Sequence, residues 1–285
     1  MSKGAQLTYR ADLHCHSTFS DGSLTPIELL ELAKKNELSG LSITDHDTLN
    51  AYSKEVYDVA KTLRVHLFTG VEFSARFQDI SVHILGYGVE LTPNILSFCK
   101  DHVNSRNERN TIIINKLRSL SFIISEKELY QGKKQAVIGR PHIATLMFKK
   151  GYVKSFQEAF NRYLGEGKCC YSAGKPYSVE ETLSIIKNAG GKAFLAHPHL
   201  IRSKKQLNAL LELDFDGLEC FYSKIPPFRE KPFIQLAHSK GLIVSGGSDF
   251  HGKIKPHIEL GCSWVDKKAV EAIFGRCRGK QRRDT

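Results

Sequence analysis

Along the first ninety residues the apolar positions switch between two periods. Ala11 to His16 alternates every second residue toward a polar end, as a strand does. Thr25-Pro26 then opens a helical pattern that runs through Lys35, with Thr25 as cap and Pro26 in the first turn. A short apolar strand, Gly40 to Thr44, follows, then a helix from about Asn50 to Leu63 and strands at Val65 to Thr69 and Ser81 to Tyr87. From Pro93 to Lys175 the texture becomes charged and helical: Ile95 to Leu120, an Ile138-Gly139-Arg140-Pro141-His142 turn, and helices around Ile143 to Lys150 and Ser155 to Leu164. The earlier rhythm resumes with Val179 to Ala189, Lys192 to Ala196, a helix near Lys204 to Leu213, strand Gly217 to Cys220, helix Lys231 to Lys240 and strand Leu242 to Gly246. Alternating strands and helices predict a parallel sheet, and polar residues leaving so many strand ends favour a closed barrel. The expected organisation is a barrel in two parts, residues 1–92 and 176–270, split by a helical insertion at 93–175 that contributes to the substrate site, with a basic tail at 271–285.

Those strand ends carry the chemistry. Five separated segments each place metal-ligating side chains there: Asp12-Leu13-His14-Cys15-His16, Thr44-Asp45-His46-Asp47, Gly70-Val71-Glu72, Ala196-His197-Pro198 and Gly247-Ser248-Asp249-Phe250-His251. Asp21 and His83 add to the set. Residues two apart on a strand share a face, so His14 and His16 reach one ion together, and Asp249 and His251 repeat the spacing. Any one of these histidines alone reads as packing; their joint recurrence at comparable places in one α/β rhythm does not. His66, His102, His238 and His257 have no such context and read as packed or surface residues. Cys15 points to the face opposite His14 and His16 and reads as a core thiol. Asp12, Asp45 and Asp47 either orient imidazoles or, for the last two, cap the following helix.

Composition narrows the setting. At 285 residues and 41% hydrophobic content the chain can bury a substantial core. Met1 to Tyr9 holds no apolar run of signal length, and no stretch approaches the roughly 18 to 20 apolar residues of a membrane span, so a cytoplasmic location without membrane attachment is expected. Seven scattered cysteines without a Cys-x-x-Cys pair exclude a zinc ribbon and a disulfide framework. The net charge of +11, with arginine and lysine concentrated again between Arg276 and Arg283, suits an anionic partner such as a nucleotide or RNA. No DNA-specific motif, Walker loop or dinucleotide fingerprint is present.

The ordered segments Asp12-Leu-His-Cys-His-Ser-Thr-Phe-Ser-Asp-Gly, Thr44-Asp-His-Asp-Thr, Gly70-Val-Glu-Phe-Ser, His83-Ile-Leu-Gly, Ala196-His-Pro and Gly247-Ser-Asp-Phe-His-Gly resemble the motifs of the PHP (polymerase and histidinol phosphatase) family, from about residue 10 to 255. That resemblance implies an α/β fold, a distorted (β/α)7 barrel, with a metal cluster at its C-terminal face. It implies three divalent ions: His14, His16, Glu72 and Asp249 around the first, Glu72 bridging to a second with His83 and His197, and Asp21, His46 and His251 around the third. The mixture of imidazoles and carboxylates puts Mn²⁺ first, ahead of Zn²⁺ or Fe²⁺. No catalytic residue beyond the cluster is expected. Two adjacent cations activate a water and neutralise phosphoryl oxygens, which is phosphate-ester hydrolysis. Gly139-Arg140-Pro141-His142 inside a helical insertion resembles, more narrowly, the branch with nucleoside 3′,5′-bisphosphate phosphatases and a 5′-to-3′ exoribonuclease. Arg140 and His142 are then substrate-binding candidates, against a plain turn around Pro141. His199 reads as a packing residue or an acid for the leaving group. The competing readings are a histidinol-phosphate phosphatase and a non-catalytic PHP scaffold.

Overall fold

The computed structural model describes residues 9–132, 135–223 and 225–275, so the basic segment from Arg276 lies outside the described residues. The seven strands are β1 (Ala11–Cys15), β2 (Gly40–Ile43), β3 (His66–Phe77), β4 (Ile80–Tyr87), β5 (Lys192–Leu195), β6 (Gly217–Tyr222) and β7 (Ile243–Gly247), side by side in sequence order. The helices α1 (Pro26–Lys35), α2 (Lys54–Leu63), α7 (Val179–Asn188), α8 (Lys204–Leu210), α9 (Pro227–Ser239) and α10 (Lys267–Phe274) accompany them. Between β4 and β5 lie α3 (Pro93–Ser119), α4 (Glu126–Tyr130), α5 (Arg140–Lys149) and α6 (Phe156–Ala159), which runs on as a π-helical turn, Phe160–Leu164.

Local chemistry sets these boundaries. Thr25 accepts from the Glu28 amide while the Glu28 carboxylate accepts from the Thr25 amide, so two otherwise unpaired N–H groups are satisfied where α1 begins. Leu29, Leu30 and Ala33 on one face of that helix are buried in the main core, beside Ile43 and Leu41 of β2. Thr92 caps the 27-residue α3 with a single bond, its hydroxyl accepting from the Ile95 amide, and Pro93 stands in the first turn.

The sheet is not wholly parallel, contrary to the alternation of elements. β4 runs antiparallel to both β3 and β5. Phe77 pairs with Ile80 across Gln78-Asp79, with Gln78 at φ 54°, and a two-residue hairpin cannot make the crossover of roughly a dozen residues that parallel pairing needs. For the same reason β3 runs on to Phe77 instead of ending at Thr69. Helix α5 begins at Arg140, where the sequence reads as a turn, because Pro141 is tolerated in a first helical turn and the Gly139 amide donates to Nδ1 of His142. The short helices α4 and α10 carry no pattern long enough to stand out in the sequence.

The sheet closes between the end of β1 and the segment after β7: the Asp249 amide donates to the His14 carbonyl at 2.7 Å and the His16 amide to the Phe250 carbonyl at 2.9 Å. This approach requires Gly247, where a Cβ would lie 2.4 Å from the His14 nitrogen. The result is a distorted seven-stranded barrel. The second half of α3 and the helices that follow it as far as Leu164 pack around a hydrophobic cluster of their own, with Ile113, Ile114, Ile138, Met147 and Leu164 buried, while Ile95, Phe98 and Cys99 of the first half of α3 pack into the barrel core. Among the described residues no helix is long and apolar enough to cross a membrane.

Candidate metal centre

Barrel closure brings all nine of the metal-ligand candidates to one end. Glu72 lies at the middle: its Oε2 is 3.3 Å from His14 Nε2, 3.2 Å from His16 Nε2 and 3.1 Å from His46 Nδ1, and its Oε1 is 2.8 Å from His83 Nδ1 and 3.0 Å from His197 Nε2. Asp249 Oδ1 is 3.3 Å from His16 Nε2, and Asp21 Oδ1 is 3.3 Å from His251 Nε2. Three overlapping groups, His14/His16/Asp249, His46/Glu72/His83 and His16/Asp21/His46/His251, each present ligand atoms within 4.8 Å of one another. His46 belongs to two of them, Nδ1 toward Glu72 and Nε2 toward Asp21.

The donor set fits cations. His14 Nε2, His16 Nε2, His46 Nδ1, Asp21 Oδ1 and Glu72 Oε2 are buried without a hydrogen-bond partner, and all face this centre. Buried polar atoms are seldom left so, because each costs roughly 1 to 3 kcal/mol. Their protonation follows from the surroundings. Burial would raise Glu72, Asp21 and Asp249, yet histidines, with Lys255 at Asp249, hold all three well below the usual carboxylate range. Burial lowers His46 to about 3 and lowers His251, leaving neutral rings. Burial opposes a charge on His14 and His16 too, but Glu219 and Glu72 hold the first well up and Asp249 and Glu72 raise the second to about 9. A cation held by these residues would take the place of those two protons.

Backbone strain aims several of these groups. His197 at φ 30° and Asp249 at φ 55° occupy the left-handed region that residues with a side chain rarely adopt, and both sit immediately after a strand. The layer behind the donors is also built. His14 Nδ1 donates to Glu219 Oε1 at 2.7 Å, fixing the tautomer that leaves Nε2 free, and Glu219 Oε2 accepts from the His197 amide at 2.6 Å. Tyr222 Oη and Lys255 Nζ each donate to Asp249 Oδ2 at 2.6 Å, so Oδ1 is the oxygen turned inward.

Asp21, His46 and His83 form the metal-centre wall of the adjoining cavity, and Arg106, Arg109, Arg140, Tyr171 and Lys175 form a basic wall, together with Arg76, which donates to Glu166 and the Asp79 carbonyl. Arg106 is committed to Asp47 Oδ2, through Nε at 2.6 Å, and to Ser74 Oγ. Arg140 donates to the Leu164 carbonyl and lies over the Tyr171 ring at 5.1 Å. Arg109 Nε and Nη2 are buried with no partner. Burial, then Arg106 and Arg140, push that guanidinium down to about 9.

Residues 12–193 match the PHP domain family. The chain belongs to the PHP family. The 5′-3′ exoribonuclease Rnm of Escherichia coli is 32% identical over 273 residues, covering 92% of each chain. The 3′,5′-nucleoside bisphosphate phosphatase of Chromobacterium violaceum is 30% identical over 247 residues, covering 84% of this chain and 86% of its own. A Bifidobacterium adolescentis protein assigned provisionally as a metal-dependent phosphoesterase superposes with a TM-score of 0.84 at 31% identity, over 92% of this chain and 94% of its own. The chain is accordingly a metal-dependent phosphoesterase of the PHP type.

In this PHP barrel none of the acids beside the donors bonds directly to an imidazole of the centre, and Asp45 reaches His16 Nδ1 only through the Ser20 hydroxyl. Asp12 accepts from the backbone of His14, Ser248 and Gly261, and burial raises it to about 6. Asp45 accepts from Ser17 and Ser20 and so holds the loop that carries Asp21. Asp47 anchors Arg106 and faces His102, which is buried and stacked on Tyr177. Glu219, Tyr222 and Lys255 do the orienting, and no sequence pattern marks them. Arg109 was legible only as the third member of a His102, Arg106, Arg109 spacing, which puts all three on one helix face. His142 lines a second cavity and not the arginine wall. Cys15 is buried, its thiol donating to the Ser42 carbonyl. His199 packs against Tyr222, ring centroids 4.4 Å apart.

Proposed function

We propose that this PHP phosphoesterase removes the 3′-phosphate of nucleoside 3′,5′-bisphosphates and shortens 5′-monophosphorylated RNA from its 5′ end, as a cytoplasmic enzyme with three divalent ions, Mn²⁺ first. The observation that carries the reading is Arg109, a guanidinium with buried, unpartnered donors across a cavity from the metal centre. A fork of N–H donors held in place beside two more arginines matches a phosphate, not a neutral group. The relatives named as a bisphosphate phosphatase and an exoribonuclease support a substrate with two phosphates.

On this reading His14, His16, Glu72 and Asp249 hold one ion, Glu72, His83 and His197 a second, and Asp21, His46 and His251 a third. Such ions supply a water acidic enough to attack near neutral pH and charge to neutralise the phosphoryl oxygens. The protein's own part is positional. Glu219 keeps His14 in the ligating tautomer, Tyr222 and Lys255 turn Asp249, and Asp45 fixes the Asp21 loop. Arg109 and Arg140 grip the phosphate that is not cut, and Tyr171 offers a ring beside the nucleoside. Fixing the spectator phosphate converts its binding energy into alignment of the scissile one.

The test is phosphate or nucleotide release by Mn²⁺-loaded protein from a panel of adenosine 3′,5′-bisphosphate, 5′-AMP, histidinol phosphate and a 5′-monophosphorylated oligoribonucleotide. The bisphosphate is expected to have the highest kcat/KM among the small substrates. A preference for histidinol phosphate or 5′-AMP would sink the reading.

A further inference from the structure

A bisphosphate and an RNA differ, at the phosphate being cut, in a single oxygen. In the bisphosphate that oxygen is terminal; in RNA it is the 5′-oxygen of the next nucleotide and carries the rest of the chain. Hydrolysis is otherwise the same: the water oxygen bonds to phosphorus, the phosphorus–O3′ bond breaks, and the 3′-oxygen of the released nucleotide takes the electron pair and a proton. The phosphate stays on the shortened chain as its new 5′-phosphate. A phosphatase for small molecules needs one cavity at its metals; an enzyme that also trims RNA needs a second, leading away from the phosphate.

Two cavities adjoin the first: one of about 560 Å³ beside His83 and His197, lined by no phenylalanine, tyrosine or tryptophan among the described residues, and one beside Asp21, which has an aromatic ring. Asp21 and Pro141 line two cavities, the arginine-walled one of about 190 Å³ and another of about 540 Å³. The larger falls in the size range of sites that hold a small ligand. Phe19, Ser20, His142, Thr145 and Lys149 line it together with Asp21. Phe19 is half-buried and Lys149 exposed, an aromatic ring and a cation on opposite elements, the first on the loop after β1 and the second at the end of α5. The Val137 amide donates to the Phe19 carbonyl at 2.8 Å and closes the wall between those elements. A ring for a base and an ammonium for the backbone are what a single strand requires, without regard to sequence.

We propose that this second cavity receives the RNA downstream of the cut, with the first downstream base against Phe19 and its 3′-phosphate near Lys149. The proposal rests on the function given above. The 5′-terminal nucleotide occupies the arginine cavity, the scissile phosphate lies over the metal centre, and the remaining strand leaves past Asp21 and Pro141.

The experiment compares wild type, Lys149→Glu and Phe19→Ala on adenosine 3′,5′-bisphosphate and on a 5′-monophosphorylated pentaribonucleotide, alongside binding of the same pentanucleotide, fluorescently labelled at its 3′ end, to metal-free protein. In each variant kcat/KM for the pentanucleotide and its binding are expected to fall about tenfold, with the bisphosphate changed by less than about twofold. Equal losses on both substrates, or no loss on the pentanucleotide, overturn the downstream site. So does a wild type that cleaves the bisphosphate and ignores the RNA. A wild type inert to both removes the proposed function and this site with it.

Discussion

On one wall of the cavity, imidazoles and carboxylates stand on or just beyond the strands of a closed sheet; on the other, three guanidiniums reach in from α3 and α5. The first wall is short side chains on stiff backbone, held from behind by Glu219, Tyr222, Lys255 and Asp45. The second is long side chains on α5, which packs in a hydrophobic cluster apart from the barrel, and on α3, which spans that cluster and the barrel core. Donors shared between neighbouring groups, as His16 and His46 are, tie the first wall together as a unit. Guanidiniums that each keep donors of their own make the second wall graded. The proposed function thus assigns chemistry and selectivity to different parts of one chain.

The largest expected effect is on the first wall. His14→Ala or Asp249→Ala is expected to lower turnover at least about a thousandfold and to reduce bound metal, with the far-ultraviolet circular dichroism of a folded chain. Wild-type metal stoichiometry by plasma emission together with full activity in either variant would break the comparison at its root.

Next comes Arg109→Ala. It is expected to cost about 2 to 3 kcal/mol in kcat/KM toward a nucleoside 3′,5′-bisphosphate, the scale of a lost hydrogen bond to a charged group, and little toward a matched monophosphate. Arg140→Ala should fall short of that, because part of its guanidinium is spent on the Leu164 carbonyl and Tyr171. Steady-state kinetics on both substrates decides it: equal losses on the two would mean that Arg109 touches the scissile phosphate, or supports the fold, and the walls would not be separable.

The finest test is Glu219→Gln. The carboxylate accepts from His14 Nδ1 with one oxygen and from the His197 amide with the other. An amide has one accepting oxygen and turns its NH2 toward the remaining donor, so one of the two bonds is lost. Metal affinity by competition with a chelator is expected to drop about 10- to 100-fold, while the preference for bisphosphate over monophosphate stays as it was. A change in preference with unchanged metal affinity would place Glu219 on the wrong wall.

Much of the first wall was legible in the sequence because its pieces are local. His14 and His16, or Asp249 and His251, declare themselves by a spacing of two, and a strand turns that spacing into a shared face. The supporting residues have no such signature. Glu219 meets His14 from 205 positions away and Asp12 meets Gly261 from 249, and one acid among thirty carries no mark of its partner. Arg106 and Arg109 looked like any charged positions of a long charged helix until Asp47 and Ser74 occupied the first and left Nε and Nη2 of the second buried without a partner.

The sequence by itself determined the α/β rhythm, the helix start at Thr25, and the list of groups able to hold metal, since capping, periodicity and same-face spacing act over a few residues. Tertiary structure alone decided that β4 runs backward, that Glu72 lies at the centre of the donors, and that Nε and Nη2 of Arg109 are buried without a partner. Those outcomes depend on which distant backbone a hairpin or a closing sheet brings alongside. Burial then decides which polar groups are satisfied, and it is a property of the packed chain, not of any stretch of it.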